Sequence, residues 1–219
     1  MSIKISCVMA SFLGEYDFSS TDKVRKFHRA IESFLNQSYK EKELWVISDG
    51  CDITTSEIRK YDNNPEIKHV HIEKQPMFSG NVRNVGCIMA TGSIICYLDS
   101  DDMLGEKHLE AIANGFKHYS DNNIDVDWVY FDDYVIYRFH PILNYILTKE
   151  KRDVELDLGS IGTSSIAHKN ILDISWVGFD GYNHDWHFIK NKLIDSRKKY
   201  QKIENTEYFV CHIPKSVDS

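Results

Sequence analysis

The apolar run Ser93-Ile94-Ile95-Cys96-Tyr97-Leu98 passes without interruption into Asp99-Ser100-Asp101-Asp102, and Gly92 closes a helical stretch just before it. A run this apolar suits a strand buried on both faces, which is typical of a parallel strand covered by helices. In an open α/β sheet, ligands bind beyond the carboxyl ends of the strands, so the three carboxylates stand where a site is expected. Crowded carboxylates repel one another and favour a cation. Oxygen ligands of this kind suit Mg²⁺ or Mn²⁺, which in turn clamp phosphate oxygens. The alternative is an acidic turn that caps the next helix, since Asp is common in turns and at helix N-termini.

The segments before this junction repeat the same strand-then-helix order. Ile3–Ser11 reads as a strand, 12–20 as a Gly-containing loop, and 22–37 as a helix with Val24, Phe27, His28, Ile31, Phe34 and Leu35 on one face. Leu44–Ser48 is the next strand. It breaks at Asp49-Gly50-Cys51-Asp52 into a short helix with a capping box of Thr54 and Glu57. Ile67–Glu73 is a third strand whose His69 and His71 share a face, read as a solvated sheet edge rather than a metal site. Asn81 is placed to cap a helix carrying Val82, Val85, Ile88 and Met89, which puts Arg83 on its first turn. A cation there opposes the helix dipole, so a carboxylate or a ligand phosphate is expected beside it, unless Arg83 is an ordinary surface residue.

After the acids, Leu109, Ile112, Ala113 and Phe116 mark another helix, and 127–132 and 135–139 read as strands. The polar, weakly periodic stretch His140–Leu158 reads as a loop or partly helical insertion of the kind that forms lids or acceptor-binding segments. Trp186, Ile189 and Leu193 define a helix with Asp185 at its N-terminus. His184 and His187 read as a solvated pair, because no third ligand stands at metal spacing. Tyr208–Cys211 closes the chain as a strand.

Three strand–helix pairs in succession make the first half a doubly wound parallel sheet. With 219 residues and 42% apolar content, a single domain over 1–219 is expected, its halves being 1–104 and 105–219. The net charge of −7 argues against a broad nucleic-acid-binding surface. Five widely spaced cysteines suit reduced core thiols rather than a disulfide framework. Neither a leader pattern nor an apolar run of about 18 residues occurs, so no transmembrane segment and a cytoplasmic location are expected. The loop after the first strand holds one Gly and no basic residue, and neither G-x-x-x-x-G-K-[ST] nor G-x-G-x-x-G occurs, which argues against a P-loop and a Rossmann dinucleotide site.

Several separate pieces, in order, resemble family 2 glycosyltransferases of the GT-A fold. They are Ser33-Phe34-Leu35-Asn36-Gln37-Ser38-Tyr39, Val46-Ile47-Ser48-Asp49-Gly50-Cys51, Val82-Arg83-Asn84-Val85-Gly86, Asp99-Ser100-Asp101, Gly178-Phe179-Asp180, His184-Asp185 and His212 with Ser216. The resemblance implies a Rossmann-like, mixed but mainly parallel sheet flanked by helices. It also implies transfer of a sugar, with inversion, from a nucleotide-diphosphate sugar to an acceptor hydroxyl, a UDP-sugar being the expected donor. Donor contacts would come from Ala10, Ser11, Ser48, Asp49, Arg83, Asp99 and Ser100. Mn²⁺ or Mg²⁺ would sit on Asp101 with Asp99 and His212, and Asp185 would be the general base. Two departures bear on specificity: Ser48 replaces the first Asp of the base-binding pair, and His184 replaces the Glu before the base. The rival readings are a metal-dependent nucleotidyl- or phosphotransferase and a GT-A module that binds without turnover.

Overall fold

The computed structural model describes residues 3–17, 19–140, 142 and 144–213. In chain order the first half comprises β1 (Ile5–Ser11), α1 (Lys23–Leu35), β2 (Lys42–Asp49), α2 (Asp52–Ile58), β3 (Ile67–Ile72), α3 (Gly80–Met89) and β4 (Ile94–Tyr97). The second half adds β5 (Met103–Leu104), α4 (His108–Asp121), β6 (Trp128–Tyr130), β7 (Asp133–His140), β8 (Asn144–Arg152) and β9 (Ile166–Lys169). It ends with α5 (His184–Phe188), which runs on as a π-helical stretch Ile189–Ile194, then β10 (Tyr200–Lys202) and β11 (Tyr208–Val210).

The larger sheet has the order β10-β6-β9-β4-β1-β2-β3. β1 lies parallel to both β2 and β4, β3 is parallel to β2, and β9 enters antiparallel between β4 and β6. The sheet is therefore mixed and mainly parallel. Alternation along β1 and β4 explains their unbroken apolar sequences. Ile5, Cys7, Met9, Ile94, Cys96 and Leu98 pack with Phe27, Ile31 and Phe34 of α1 on one face. Val8, Ile95 and Tyr97 pack with Trp176, Phe188 and Ile189 on the other. Each such large side chain, fully buried, contributes on the order of 1.5–3 kcal/mol. β3 is an edge strand, with His71 exposed and hydrogen-bonded to Thr55 Oγ1 at 2.8 Å, whereas His69 is half-buried with its Nε2 unpartnered among the described residues, so the two do not form a solvated pair. All five cysteines are free and buried. No helix of the described residues is long and apolar enough to cross a membrane.

The amino ends of the strands are tied by Glu43. Its Oε1 accepts from Ser6 Oγ at 2.6 Å and from Thr91 N at 2.7 Å, and its Oε2 from Lys4 Nζ at 2.8 Å. Burial raises the carboxyl's pKa, but these donors outweigh it and hold the group down at about 2. This anchor leaves the opposite, carboxyl edge of the sheet free to carry the site.

A smaller sheet, β5-β11-β7-β8, packs beside that edge. It overturns the reading of His140–Leu158 as a loop or partly helical insertion over Asn144–Arg152, since β7 and β8 form an antiparallel hairpin from Asp133↔Arg152 to His140↔Asn144, whereas 153–158 is the irregular stretch expected. Pro141 lies outside the described residues. β8 is an edge strand whose Lys149, Glu150 and Lys151 are exposed, so it needs no apolar alternation and its sequence looks aperiodic. Register is pinned instead by Arg152, whose Nε donates to Asp133 Oδ1 at 2.8 Å and whose Nη2 pairs with Oδ2. Two caps also differ from expectation. Cys51 Sγ, not a Thr54/Glu57 box, accepts from Thr54 N at 3.5 Å, and Ser79 Oγ rather than Asn81 caps α3, accepting from Asn81 N at 3.2 Å.

Candidate active site

The carboxyl ends of β1, β2 and β4 open onto one cavity of about 310 Å³. Ala10, Ser11, Asp49, Arg83, Asp99, Ser100, Asp101 and Asp185 all line it. The parallel register explains the first of these: Ser11 stands opposite Ser48, so Asp49 projects one residue beyond the β1 end.

At the β2 end, Asp49 is 7% exposed and both its oxygens are held. Oδ1 accepts from Gln75 N at 2.7 Å and Oδ2 from Lys74 Nζ at 2.5 Å. The Lys74 ammonium also lies 4.6 Å from the Phe12 ring centroid. Gly50 makes this packing possible: its φ is +59°, and a Cβ there would fall 2.6 Å from Lys74 N. Ser48 does not line the cavity. It is fully buried and its Oγ donates to Cys51 O at 2.8 Å, so it shapes the turn after β2.

Arg83 occupies the centre, on the first turn of α3. The anion expected beside it is Asp99, whose Oδ1 accepts from Nη2 at 2.9 Å, while Nη1 donates to His184 Nε2 at 2.7 Å. Its guanidinium lies 5.5 Å from the ring centroid of Trp176, which stacks on Phe188 at 3.7 Å. Asn84 fixes that floor, its Oδ1 accepting from Trp176 N at 3.1 Å and Ser175 Oγ at 3.0 Å. His184 is thus buried and hydrogen-bonded, which corrects its reading as half of a solvated pair; His187 is exposed. Burial, and then the Arg83 charge, push the His184 imidazole down to about 4. It is a neutral acceptor at physiological pH.

The acidic turn separates three carboxylates by environment. Asp99 is raised above the usual carboxylate range by burial, with Arg83 opposing and Asp101 adding to the shift. Burial also opposes ionisation of Asp101. The His212 hydrogen bond and the charges of His212 and Lys26 outweigh that and hold it low. His212 does not line the cavity itself, but its Nδ1 lies 3.0 Å from Asp101 Oδ2. Asp102 turns away from the cavity. Its Oδ1 accepts from Cys211 N at 2.7 Å and its Oδ2 from Tyr208 Oη at 3.0 Å, and that hydroxyl accepts from Asp99 N at 3.0 Å. Burial, followed by the charges of Asp101 and Asp99, drives its pKa well above the ordinary value. Tyr208 therefore clamps the turn to β11. Because β11 pairs with β5, it also delivers His212 to Asp101.

Asp185 faces the acids across the cavity from the second position of α5. Its Oδ1 accepts from Trp186 N at 2.8 Å, and a Cβ at Gly162 would lie 2.9 Å from Oδ2, so Gly162 leaves room for the carboxylate. Asp133, which is absent from the cavity lining, is fully buried and bound by Arg152 and by Ser165 Oγ at 3.0 Å. Sequence reasoning missed Lys74, Phe12, Phe78 and Thr163 as lining residues. Lys74 follows the third parallel strand, and that position was a signal available for it.

Residues 25–172 match the family model described as Glycosyl transferase family 2. The chain is similar to poly(ribitol-phosphate) beta-N-acetylglucosaminyltransferase TarP of Staphylococcus aureus (strain N315), 32% identical over 128 residues, covering 56% of this chain and 35% of TarP. Among solved structures it resembles S. aureus TarS 1-349 in complex with UDP, at TM-score 0.67 and 18% identity, covering 95% of this chain and 60% of that one. The complex of TarS 1-349 with UDP-GlcNAc gives a TM-score of 0.65 at 18% identity, covering 95% and 58% of the two chains. The chain thus spans about a third of TarP and about three fifths of the solved TarS chain. The architecture is the expected GT-A fold, its mainly parallel sheet carrying the site at the carboxyl edge. On the match of residues 25–172, the chain belongs to glycosyl transferase family 2.

Proposed function

We propose that this chain is the donor-binding and catalytic part of an inverting glycosyltransferase that uses a UDP-sugar. The observation that carries this reading is that Asp49, Arg83, the Asp99–Asp101 turn and Asp185 line one cavity although they come from four separate segments of the chain. The complexes of TarS with UDP and UDP-GlcNAc support a uridine donor. Asp49, with Lys74 and the Phe12 ring beside it, would hold the base, with Ala10, Ser11 and Ser100 lining the same pocket. Arg83 would face the donor while keeping Asp99 in place.

Asp101 and Asp99, with His212 beside Asp101, would hold Mn²⁺ or Mg²⁺. Among the described residues no three such side chains form a closed metal cage. Small hard cations of this type commonly take one or two carboxylates and complete their shell with phosphate and water, so the donor set fits. Bound there, the cation supplies charge neutralisation for the departing diphosphate. Asp185 would take the proton of the acceptor hydroxyl. The hydroxyl oxygen then bonds to the anomeric carbon from the face opposite the leaving group, and the sugar–phosphate C–O bond breaks with its electron pair going to UDP.

The test is a donor screen with Mn²⁺ in which UDP-, GDP- and other nucleotide-sugars are incubated with the protein alone and nucleoside diphosphate release is followed. Slow hydrolysis of one UDP-sugar is expected. Pyrophosphate release from a nucleoside triphosphate instead would point to a nucleotidyltransferase. Donor binding with no release under any condition would point to a binding module.

A further inference from the structure

Phe78 and Tyr182 form an aromatic corner beside Asp185 that the core does not use. Phe78 is 44% exposed and Tyr182 80% exposed, and their rings meet edge to face at 5.9 Å and 88°. Phe78 lines the cavity together with Asp185, and its ring stacks over His184 at 6.2 Å. The backbone is arranged to hold it there. Phe78 has φ +56°, a left-handed conformation that strains a bulky residue, and the Phe78 carbonyl accepts from Gly181 N at 3.2 Å. Gly80 N in turn donates to Phe179 O at 2.7 Å, stitching the start of α3 to the segment that carries Tyr182. Exposed aromatics held in a strained setting at the mouth of a site call for a ligand surface.

The chemistry of the corner selects the ligand. Along the chain no charged side chain lies within three residues of Phe78, and Tyr182 is flanked by the carboxylates Asp180 and Asp185, while Lys74 and Arg83, which line the same cavity, are already paired with Asp49 and Asp99. An anionic group is disfavoured there, whereas the negative face of an aromatic ring attracts the weakly positive C–H face of a pyranose. We propose that Phe78 and Tyr182 are an acceptor subsite that stacks against a neutral pyranose ring, so that the acceptor is a saccharide whose hydroxyl is presented to Asp185. The inference rests on the glycosyltransferase reading above for the role of Asp185, but the subsite itself is testable by binding alone.

Saturation-transfer NMR would be run on the protein with UDP and Mn²⁺, using as probes the methyl β-pyranosides of glucose, galactose and N-acetylglucosamine, and ribitol 5-phosphate. At least one pyranoside should bind. Tyr182→Ala should weaken it five-fold or more, Tyr182→Phe should restore it, and Phe78→Ala should act like Tyr182→Ala. Because Tyr182 is largely exposed, its variants keep the test valid if Phe78→Ala fails to fold. Equal pyranoside binding by the Ala and wild-type proteins, or binding of none of the pyranosides, would overturn the subsite. Preference for ribitol 5-phosphate would assign a polyol-phosphate acceptor instead. A parallel loss of UDP affinity in Tyr182→Ala would place the corner on the donor side. Failure of the glycosyltransferase reading would show separately, as absence of UDP-sugar hydrolysis by the wild-type protein.

Discussion

The Arg83 guanidinium donates to Asp99 Oδ1 at 2.9 Å and to His184 Nε2 at 2.7 Å, so one cation couples the acidic turn to the residue preceding Asp185. An arginine has no acceptor and stays protonated, so His184 must be neutral with its other ring nitrogen carrying the proton. The contact depends on the imidazole's low pKa of about 4, set by burial and by Arg83 itself. His184→Leu should strand an Arg83 donor in a site where only 12% of its side chain is exposed, at a cost of about 1–3 kcal/mol in stability. It should also weaken UDP binding. His184→Gln, which keeps an acceptor, should lose less on both counts. Denaturant melts and UDP titrations of the two variants check this, and equal behaviour would remove the coupling.

Asp185→Asn should lower transfer by roughly a hundred-fold or more, the usual scale of a lost general base. Asn retains an oxygen for the 2.8 Å bond from Trp186 N, so folding and UDP affinity should hold. Near-normal turnover at saturating donor would end the assignment of Asp185 as base.

Asp101→Ala should weaken Mn²⁺-dependent UDP binding by one to two orders of magnitude, with His212→Ala acting in the same direction through the same carboxylate. Calorimetry of UDP with Mn²⁺ and with EDTA reads this directly. Affinity indifferent to EDTA would remove the cation site.

Acid should destabilise the protein earlier than its carboxylates alone would require. Burial pushes His168 down to about 4 and His108 down to about 3. A histidine whose folded pKa lies below its unfolded value of about 6.5 contributes fully above that value, and the contribution is lost as pH falls through the window toward the folded pKa. Glu43, held at about 2, adds a second loss between its unfolded pKa and that value. Thermal melts should therefore decline from about pH 6.5 downward. Neither ring nitrogen of His108 has a partner among the described residues, and the ring sits edge-on to Phe131 at 5.1 Å. His108→Phe should preserve or raise stability at pH 7 and flatten the decline. A marked loss at pH 7 would show that His108 is satisfied in solution.

Local sequence was enough wherever one segment's own pattern decides its burial. β4 had to be apolar along its whole length because both faces are covered, and its acids had to lie at the carboxyl edge because a parallel strand has no other free end there. Arg83 demanded an anion for the same local reason, and Asp99 supplies it. Local pattern failed where solvent, not packing, decides. Strand β8 reads as a loop because an exposed edge strand leaves no period-2 signature.

Long-range pairing settled the rest, since a side chain's state depends on what a distant segment brings to it. Asp102 looks like its neighbours in sequence. It leaves the site because Tyr208 and Cys211, over a hundred residues on, bind both its oxygens. His184 reads as solvated and becomes a buried acceptor only when α3 brings Arg83 beneath it. Ser48 resembles a base-binding position, yet its hydroxyl is consumed by its own turn. Periodicity along one segment reports how that segment meets the core, whereas the partner of a polar group is set by the tertiary pairing of strands and helices far apart in the chain.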